Sequence, residues 1–140
     1  PVCKGADLLA KFKCVDQPLW VDCGADTGGL VRTLAAQAPH VNFLGIELND
    51  KKIEKGLQQV RPPSNVFLLK ANATTFLADV VTTFPEGALR FVSVFYPDPW
   101  PKKRHHKRRL VNTEFVDAVC SHLAKDGRVF LRSDCPEVVA

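Results

Sequence analysis

Five short, mostly apolar runs separated by stretches of helical spacing constrain this chain more than any other feature. Leu19-Trp20-Val21-Asp22-Cys23-Gly24 reads as a buried strand entering a glycine turn, and residues 28–38 as a helix stopped by Pro39. Val41 to Glu47 reads as a second strand, after which Asp50 can cap a helix reaching to about Val60. Arg61-Pro62-Pro63-Ser64 is a break. Asn65 to Lys70 follows as a third strand, and Thr74 to Phe84 as a third helix ended by Pro85 and Gly87. Leu89 to Phe95 is the fourth strand. Asn112 to Lys125 carries Phe115, Val116, Val119, Cys120 and Leu123 at helical spacing, and Asp126-Gly127 turns into a fifth strand, Arg128 to Arg132.

Short apolar strands alternating with helices imply a parallel α/β sheet covered on both faces. Right-handed crossovers make it doubly wound, with strand order 3-2-1-4-5. Ligands of such sheets lie beyond the carboxyl ends of the strands, where the order reverses. Each candidate residue named below follows such an end. Residues 1–16 form an N-terminal lead-in whose Leu8, Leu9 and Phe12 either pack as a helix under the sheet or fray. The whole of 1–140 is read as a single domain.

A hydrophobic fraction of 46% with 24% charged residues describes a globular chain. No stretch has the apolar length to span a bilayer, and the start lacks a signal-peptide pattern, so a cytoplasmic protein with no membrane association is expected. The chain starts at Pro1 and has no Met, which reads as a trimmed or incomplete chain. Cys3, Cys14, Cys23, Cys120 and Cys135 form no C-x-x-C pair, and the four His show no metal spacing. Reduced, mostly buried thiols and no metal are expected. The formal charge of +4 is uneven. Lys102, Lys103, Arg104, Lys107, Arg108 and Arg109 fall within eight residues, and without them the chain is at −2. A dense basic patch on a mildly acidic body suits a phosphate backbone.

Four places carry candidate chemistry. Asp22-Cys23-Gly24-Ala25-Asp26-Thr27-Gly28-Gly29 is a glycine turn between strand and helix, where a ligand can approach the backbone. Glu47 closes the second strand 23 residues after Gly24, and its carboxylate can accept from two adjacent ribose hydroxyls. Taken alone it fits NAD as well as another nucleoside cofactor, or a solvated strand end. Asn72-Ala73 follows the third strand, and Asn72 can cap the helix after it. Asp98 sits between Pro97 and Pro99, which restrict the backbone on both sides and fix where its carboxylate points. Trp100 then either stacks on a base or anchors the loop.

The run from Phe95 to Leu110 resembles the signature of the tRNA (guanine-N7)-methyltransferases, F-x-D-P-W-x-K-x-R-H-x-K-R-R, at nearly every position. The glycine turn looks like the first motif of the S-adenosylmethionine methyltransferases, an acidic residue followed by G-x-G-x-G, with Asp26 at the middle glycine. The resemblance covers roughly residues 17–135. It implies a class I, Rossmann-like fold whose C-terminal part, a helix, two strands and a T-x-[FY]-E motif, is missing from this chain. It implies S-adenosyl-L-methionine as cofactor, held by Asp22, Gly24, Glu47, Asn72 and Asp98, with Asp98 catalytic. It implies tRNA as substrate, contacted by Lys102 and by Asp134 after the fifth strand; Asp134 reads equally as a helix cap. Lys103, Arg104 and Arg108 join them as candidate tRNA contacts from the basic run, which could otherwise be a localisation signal or a solvated face. The Trp100-Pro101 form is similar to the bacterial branch, so no WD-repeat partner is expected and the protein would act as a monomer or homodimer. The competing readings are an NAD-dependent oxidoreductase, which leaves the basic run idle, and an RNA-binding module with a decayed cofactor site, which Asp26 and Asn72 would explain.

Overall fold

The five apolar runs become strands β1 (Leu19–Cys23), β2 (Asn42–Glu47), β3 (Val66–Lys70), β4 (Leu89–Phe95) and β5 (Arg128–Arg132) in a computed structural model that describes residues 8–59 and 62–136. Helices α1 (Gly29–Gln37), α2 (Asp50–Gln59), α3 (Ala73–Val81) and α4 (Thr113–His122) connect them, with a 3-10 helix (Lys103–Arg108) before α4. All pairings are parallel and the strand order is β3-β2-β1-β4-β5, the doubly wound order expected from the alternation. The expected helix end near Val60, the Arg61 side of the break and residues 1–7 of the lead-in lie outside the described residues.

Side-chain alternation divides the core in two. Along β2, Phe43 points to one face and packs with Val31, Ala35, Ile53, Val66 and Leu68 under α1 and α2. Leu44 and Ile46 point to the other face, where they meet Val21, Leu77, Val92, Phe115 and Val119 beneath α3 and α4. Leu8 and Phe12 of the lead-in are buried in this second cluster, Phe12 edge-on to Phe84 at 5.8 Å.

One expectation is not met. Strand β5 is exposed rather than covered, with Val129 at 47% and Leu131 at 39%. It is the edge strand, paired with β4 alone among the described residues. In α4 only Phe115 and Val119 of the five apolar positions are buried, while Val116 and Cys120 face out. The helix packs on a flank of the sheet and offers a narrower face than its composition allows.

Helix α2 lies so close to the glycine turn that an added Cβ at Gly56 would stand 2.2 Å from the Thr27 carbonyl oxygen. The Arg32 Nη1 also donates to the Gly56 carbonyl at 3.0 Å. Two effects then oppose each other in Gly56→Ala. Helix propensity favours alanine by about 1 kcal/mol. Forcing a Cβ against the Thr27 main chain costs about 1–3 kcal/mol. The contact wins, because the obstructing atom belongs to the main chain and no rotamer change relieves it. Gly56→Ala should lower the melting temperature and loosen the turn at residues 24–28; a melting temperature at or above wild type would show that the helix does not need this approach.

Candidate active site

A cleft of about 620 Å³ opens beyond the carboxyl ends of β1 to β4. That size suits a nucleoside-sized ligand. Gly24, Glu47, Asn72 and Asp98 all line it, joined by Lys52 and Arg108. Four separately read strand ends therefore meet in one place.

The glycine turn is built on β2. The N–H groups of Gly24 and Ala25 both donate to the Ile46 carbonyl, at 2.8 and 3.0 Å. Gly24 has φ of 86°, and a Cβ there would meet nothing within 4 Å, so its glycine serves the left-handed turn and leaves the cleft wall bare. Asp26 takes the left-handed conformation that a glycine would adopt freely, φ 53°. Its N–H donates to Glu47 Oε2 at 3.0 Å, and the Asn49 N–H donates to Glu47 Oε1 at 2.9 Å. Glu47 is thus oriented by two backbone donors, one on each oxygen, with lone pairs left over. The Asp26 carboxylate turns to Lys52 Nζ at 2.9 Å and does not line the cleft. The hydrogen bond from Lys52 holds the Asp26 carboxyl below the usual carboxylate range, and the same bond raises the Lys52 ammonium. Both side chains are about half exposed, so the pair is worth little as stability. Its consequence is local: it keeps a carboxylate out of the space beside Gly24.

Asn72 caps α3, its Oδ1 accepting from the Thr74 N–H at 3.0 Å, so the cap reading is realised. It lines the cleft as well, and among the described residues the second lone pair of that oxygen and its amide N–H groups are unspent. Asp22 is placed differently. It is 4% exposed and lies behind the cleft wall, where its register partner Ser93 donates to Oδ1 at 2.6 Å and itself accepts from Trp20 Nε1 at 2.9 Å. Burial raises its carboxyl above the usual range, and the Ser93 hydrogen bond offsets part of that. Beside it, burial and then the Asp22 charge push the Cys23 thiol far up, so Cys23 stays protonated though it borders the cleft. Of the four described cysteines only Cys23 is buried; Cys14 and Cys120 are exposed, against the expectation of mostly buried thiols.

Asp98 stands exposed on the cleft at the centre of its proline-framed turn. The turn is left-handed at both ends, Tyr96 at φ 52° and Trp100 at φ 42°. The basic run is not an open loop. Residues Lys103–Arg108 wind into the 3-10 helix, whose short i→i+3 bonds include His105 N–H to the Lys102 carbonyl at 2.7 Å. This folds Arg108 over the Trp100 ring at 5.1 Å and sets His105 edge-on to it at 5.7 Å. Trp100 therefore anchors the run, and Lys107 and Arg108 reach the cleft. Lys102, Lys103 and Arg104 are exposed beside it and do not line it. Asp134 lies exposed in the bend after β5, also outside the lining. The cap reading of Asp134 depends on residues 137–140, which are outside the described residues.

A family model described as a putative methyltransferase matches residues 16–140. The chain belongs to that family. Among curated relatives, the tRNA (guanine-N(7)-)-methyltransferase of Synechococcus elongatus is 36% identical over 127 residues, covering 89% of this chain and 60% of the relative. The enzyme of the same name from Geobacillus kaustophilus is 40% identical over 127 residues, covering 85% of this chain and 54% of the relative. The chain thus spans somewhat more than half the length of these relatives. Among solved structures, the aminoglycoside resistance methyltransferase NpmB1 superimposes with a TM-score of 0.65 at 17% identity, over 91% of this chain and 61% of that one. Phosphoethanolamine N-methyltransferase 2 of Haemonchus contortus, solved with S-adenosyl-L-methionine, gives 0.59 at 15% identity, over 90% of this chain and 26% of that one. At such identities these likenesses speak for the fold alone: a Rossmann-like methyltransferase sheet, as the sequence resemblance implied.

Around this cleft, three residues escape a reading of the sequence. Lys52 reaches it from the first turn of α2 and Glu114 from the first turn of α4, while Ser93 holds Asp22 from the middle of β4. Lys52 carried one available signal, its position five residues after Glu47 at the start of a helix; the other two depend on strand pairing. Among the described residues no group of three or more His, Cys, Asp or Glu could hold a metal ion, and no helix is long and apolar enough to cross a membrane.

Proposed function

We propose that the protein is a cytoplasmic tRNA (guanine-N7)-methyltransferase that uses S-adenosyl-L-methionine to methylate the variable-loop guanine. The observation that carries this reading is the placement of Asp98: its turn shares one cleft with Gly24 and Glu47, and the basic 3-10 helix forms the rim of the same cleft. An NAD-dependent oxidoreductase would have no use for that rim.

The donor set fits the cofactor. Open space beside Gly24 admits a ligand to the backbone, and Glu47, already oriented by two N–H groups, has lone pairs for a ribose diol. Asn72 lines the same cleft and keeps an acceptor oxygen for the exocyclic amine of an adenine. When bound, S-adenosylmethionine supplies an electrophilic methyl on a sulfonium. Guanine N7 has an in-plane lone pair, so no residue here has to remove a proton before attack. What the chain contributes is alignment, and a negative charge at Asp98 to offset the positive charge that the guanine ring acquires. Lys102, Lys103, Arg104 and Arg108 hold the phosphate backbone while the base enters.

Calorimetry on the full-length protein tests the cofactor half directly. S-adenosylhomocysteine should bind and NAD should not; the reverse would support the oxidoreductase, and binding of neither would support an RNA-binding module. The tRNA half is tested by salt. Log affinity should fall linearly with log salt, by about 0.7–0.9 per phosphate contact. The triple substitution Lys102→Ala, Lys103→Ala, Arg104→Ala should flatten that slope by about 2–3, and an unchanged slope would mean these cations are merely solvated.

A further inference from the structure

The turn that carries Asp98 is held in a conformation its residues resist, and an arginine sits on each end of it. Tyr96 and Trp100, at φ 52° and 42°, occupy the left-handed region that bulky L-residues rarely adopt. Such outliers persist only where the surroundings hold them. The Arg132 guanidinium lies over the Tyr96 ring at 5.5 Å, and Arg108 over Trp100 at 5.1 Å. A hydrogen bond accompanies each stack, one from the main chain and one from the neighbouring Arg109 side chain. The Tyr96 N–H donates to the Arg132 carbonyl at 2.7 Å, and Arg109 Nε donates to the Pro99 carbonyl at 2.8 Å. Residues 96–100 are therefore tied to β5 at one end and to the 3-10 helix at the other. Pro97 and Pro99 leave little freedom between the ties.

We propose that Arg132 and Arg108 are positioning residues for Asp98, acting through Tyr96 and Trp100 to fix where its carboxylate stands. The proposal rests on the reading of Asp98 given above. Neither arginine needs to touch the reacting atoms. Holding a turn at both ends converts ring–cation contacts, each modest in itself, into placement of a single charge. Arg108 has two uses, since it also belongs to the run offered to phosphate, so its replacement would disturb tRNA binding as well. Arg132 lies outside the basic run, on β5 and away from the cleft lining. It gives the cleaner test.

The experiment measures single-turnover methyl transfer to tRNA and S-adenosylhomocysteine affinity in the full-length protein, for Arg132→Ala, Arg132→Lys, Tyr96→Gly and the double variant Tyr96→Gly/Arg132→Ala. Arg132→Ala should slow transfer about tenfold, with cofactor and tRNA affinities within about twofold of wild type. Arg132→Lys should retain part of the rate, because an ammonium keeps the charge over the ring but loses the planar stack. In the Tyr96→Gly background, adding Arg132→Ala should cost less than about threefold, because glycine takes the left-handed conformation unaided. The proposal is overturned if Arg132→Ala leaves the rate unchanged. It is overturned equally if the variant costs the same factor in both backgrounds, or lowers cofactor affinity in step with the rate. A wild-type protein that transfers no methyl overturns instead the reading on which the proposal rests.

Discussion

Replacing Asp98 with Asn should slow single-turnover methyl transfer by about 10²–10³ while cofactor and tRNA still bind. The substitution is nearly isosteric, so the turn from Tyr96 to Trp100, with Arg132 and Arg108 stacked on its end rings, should survive it. Asparagine keeps an acceptor oxygen and loses the charge. What disappears is the fixed negative group facing a guanine ring that becomes cationic as the methyl arrives. Removing one preorganised electrostatic group of this kind costs about 3–4 kcal/mol. The loss should appear in the rate and hardly at all in either affinity. A drop of only a few-fold would make Asp98 a turn residue. Collapse of tRNA binding along with the rate would mean that Asp98 holds the donor edge of the guanine in the ground state.

Glu47→Ala should lower S-adenosylhomocysteine affinity by about 10²-fold and leave tRNA affinity nearly unchanged. Two effects add. The variant loses the acceptors for a ribose diol, and it releases the Asp26 and Asn49 N–H groups that now converge on the carboxylate. Hydrogen bonds to a charged partner are worth about 1.5–3 kcal/mol each. The freed backbone groups are solvent-exposed and can turn to water, so the fold itself should lose less than the ligand does. Glu47→Gln should fall between the two, since one oxygen can still take one of the two N–H donors. Unchanged cofactor affinity in the alanine variant would remove Glu47 from the site.

The strands and their order were legible because each apolar run ends at a glycine, a proline or a capping residue, and because parallel crossovers have one hand. The convergence of Gly24, Glu47, Asn72 and Asp98 followed from that order. What was not legible depends on contacts between distant residues. The burial of Asp22 requires knowing that β1 pairs with β4 in the register that sets it beside Ser93. Asp26 reads in sequence as an awkward carboxylate at a glycine position; the fold disposes of it by pairing it with Lys52. The 3-10 helix left no apolar periodicity to detect, since its six residues are Lys103-Arg104-His105-His106-Lys107-Arg108 and none of them is buried. Helical spacing marked α4 but not which of its apolar residues are covered, and the packing leaves Val116 and Cys120 outside.

The cleft bordered by Glu47 and Asp98 is proposed to transfer a methyl group to guanine N7 of tRNA. The most direct measurement is mass spectrometry of tRNA nucleosides after incubating unmodified tRNA with the full-length protein and isotope-labelled S-adenosylmethionine. Labelled 7-methylguanosine from the variable loop is expected, reduced to trace levels in Asp98→Asn. Label found in another nucleoside, or no label with a wild-type protein shown to bind both cofactor and tRNA, would contradict it.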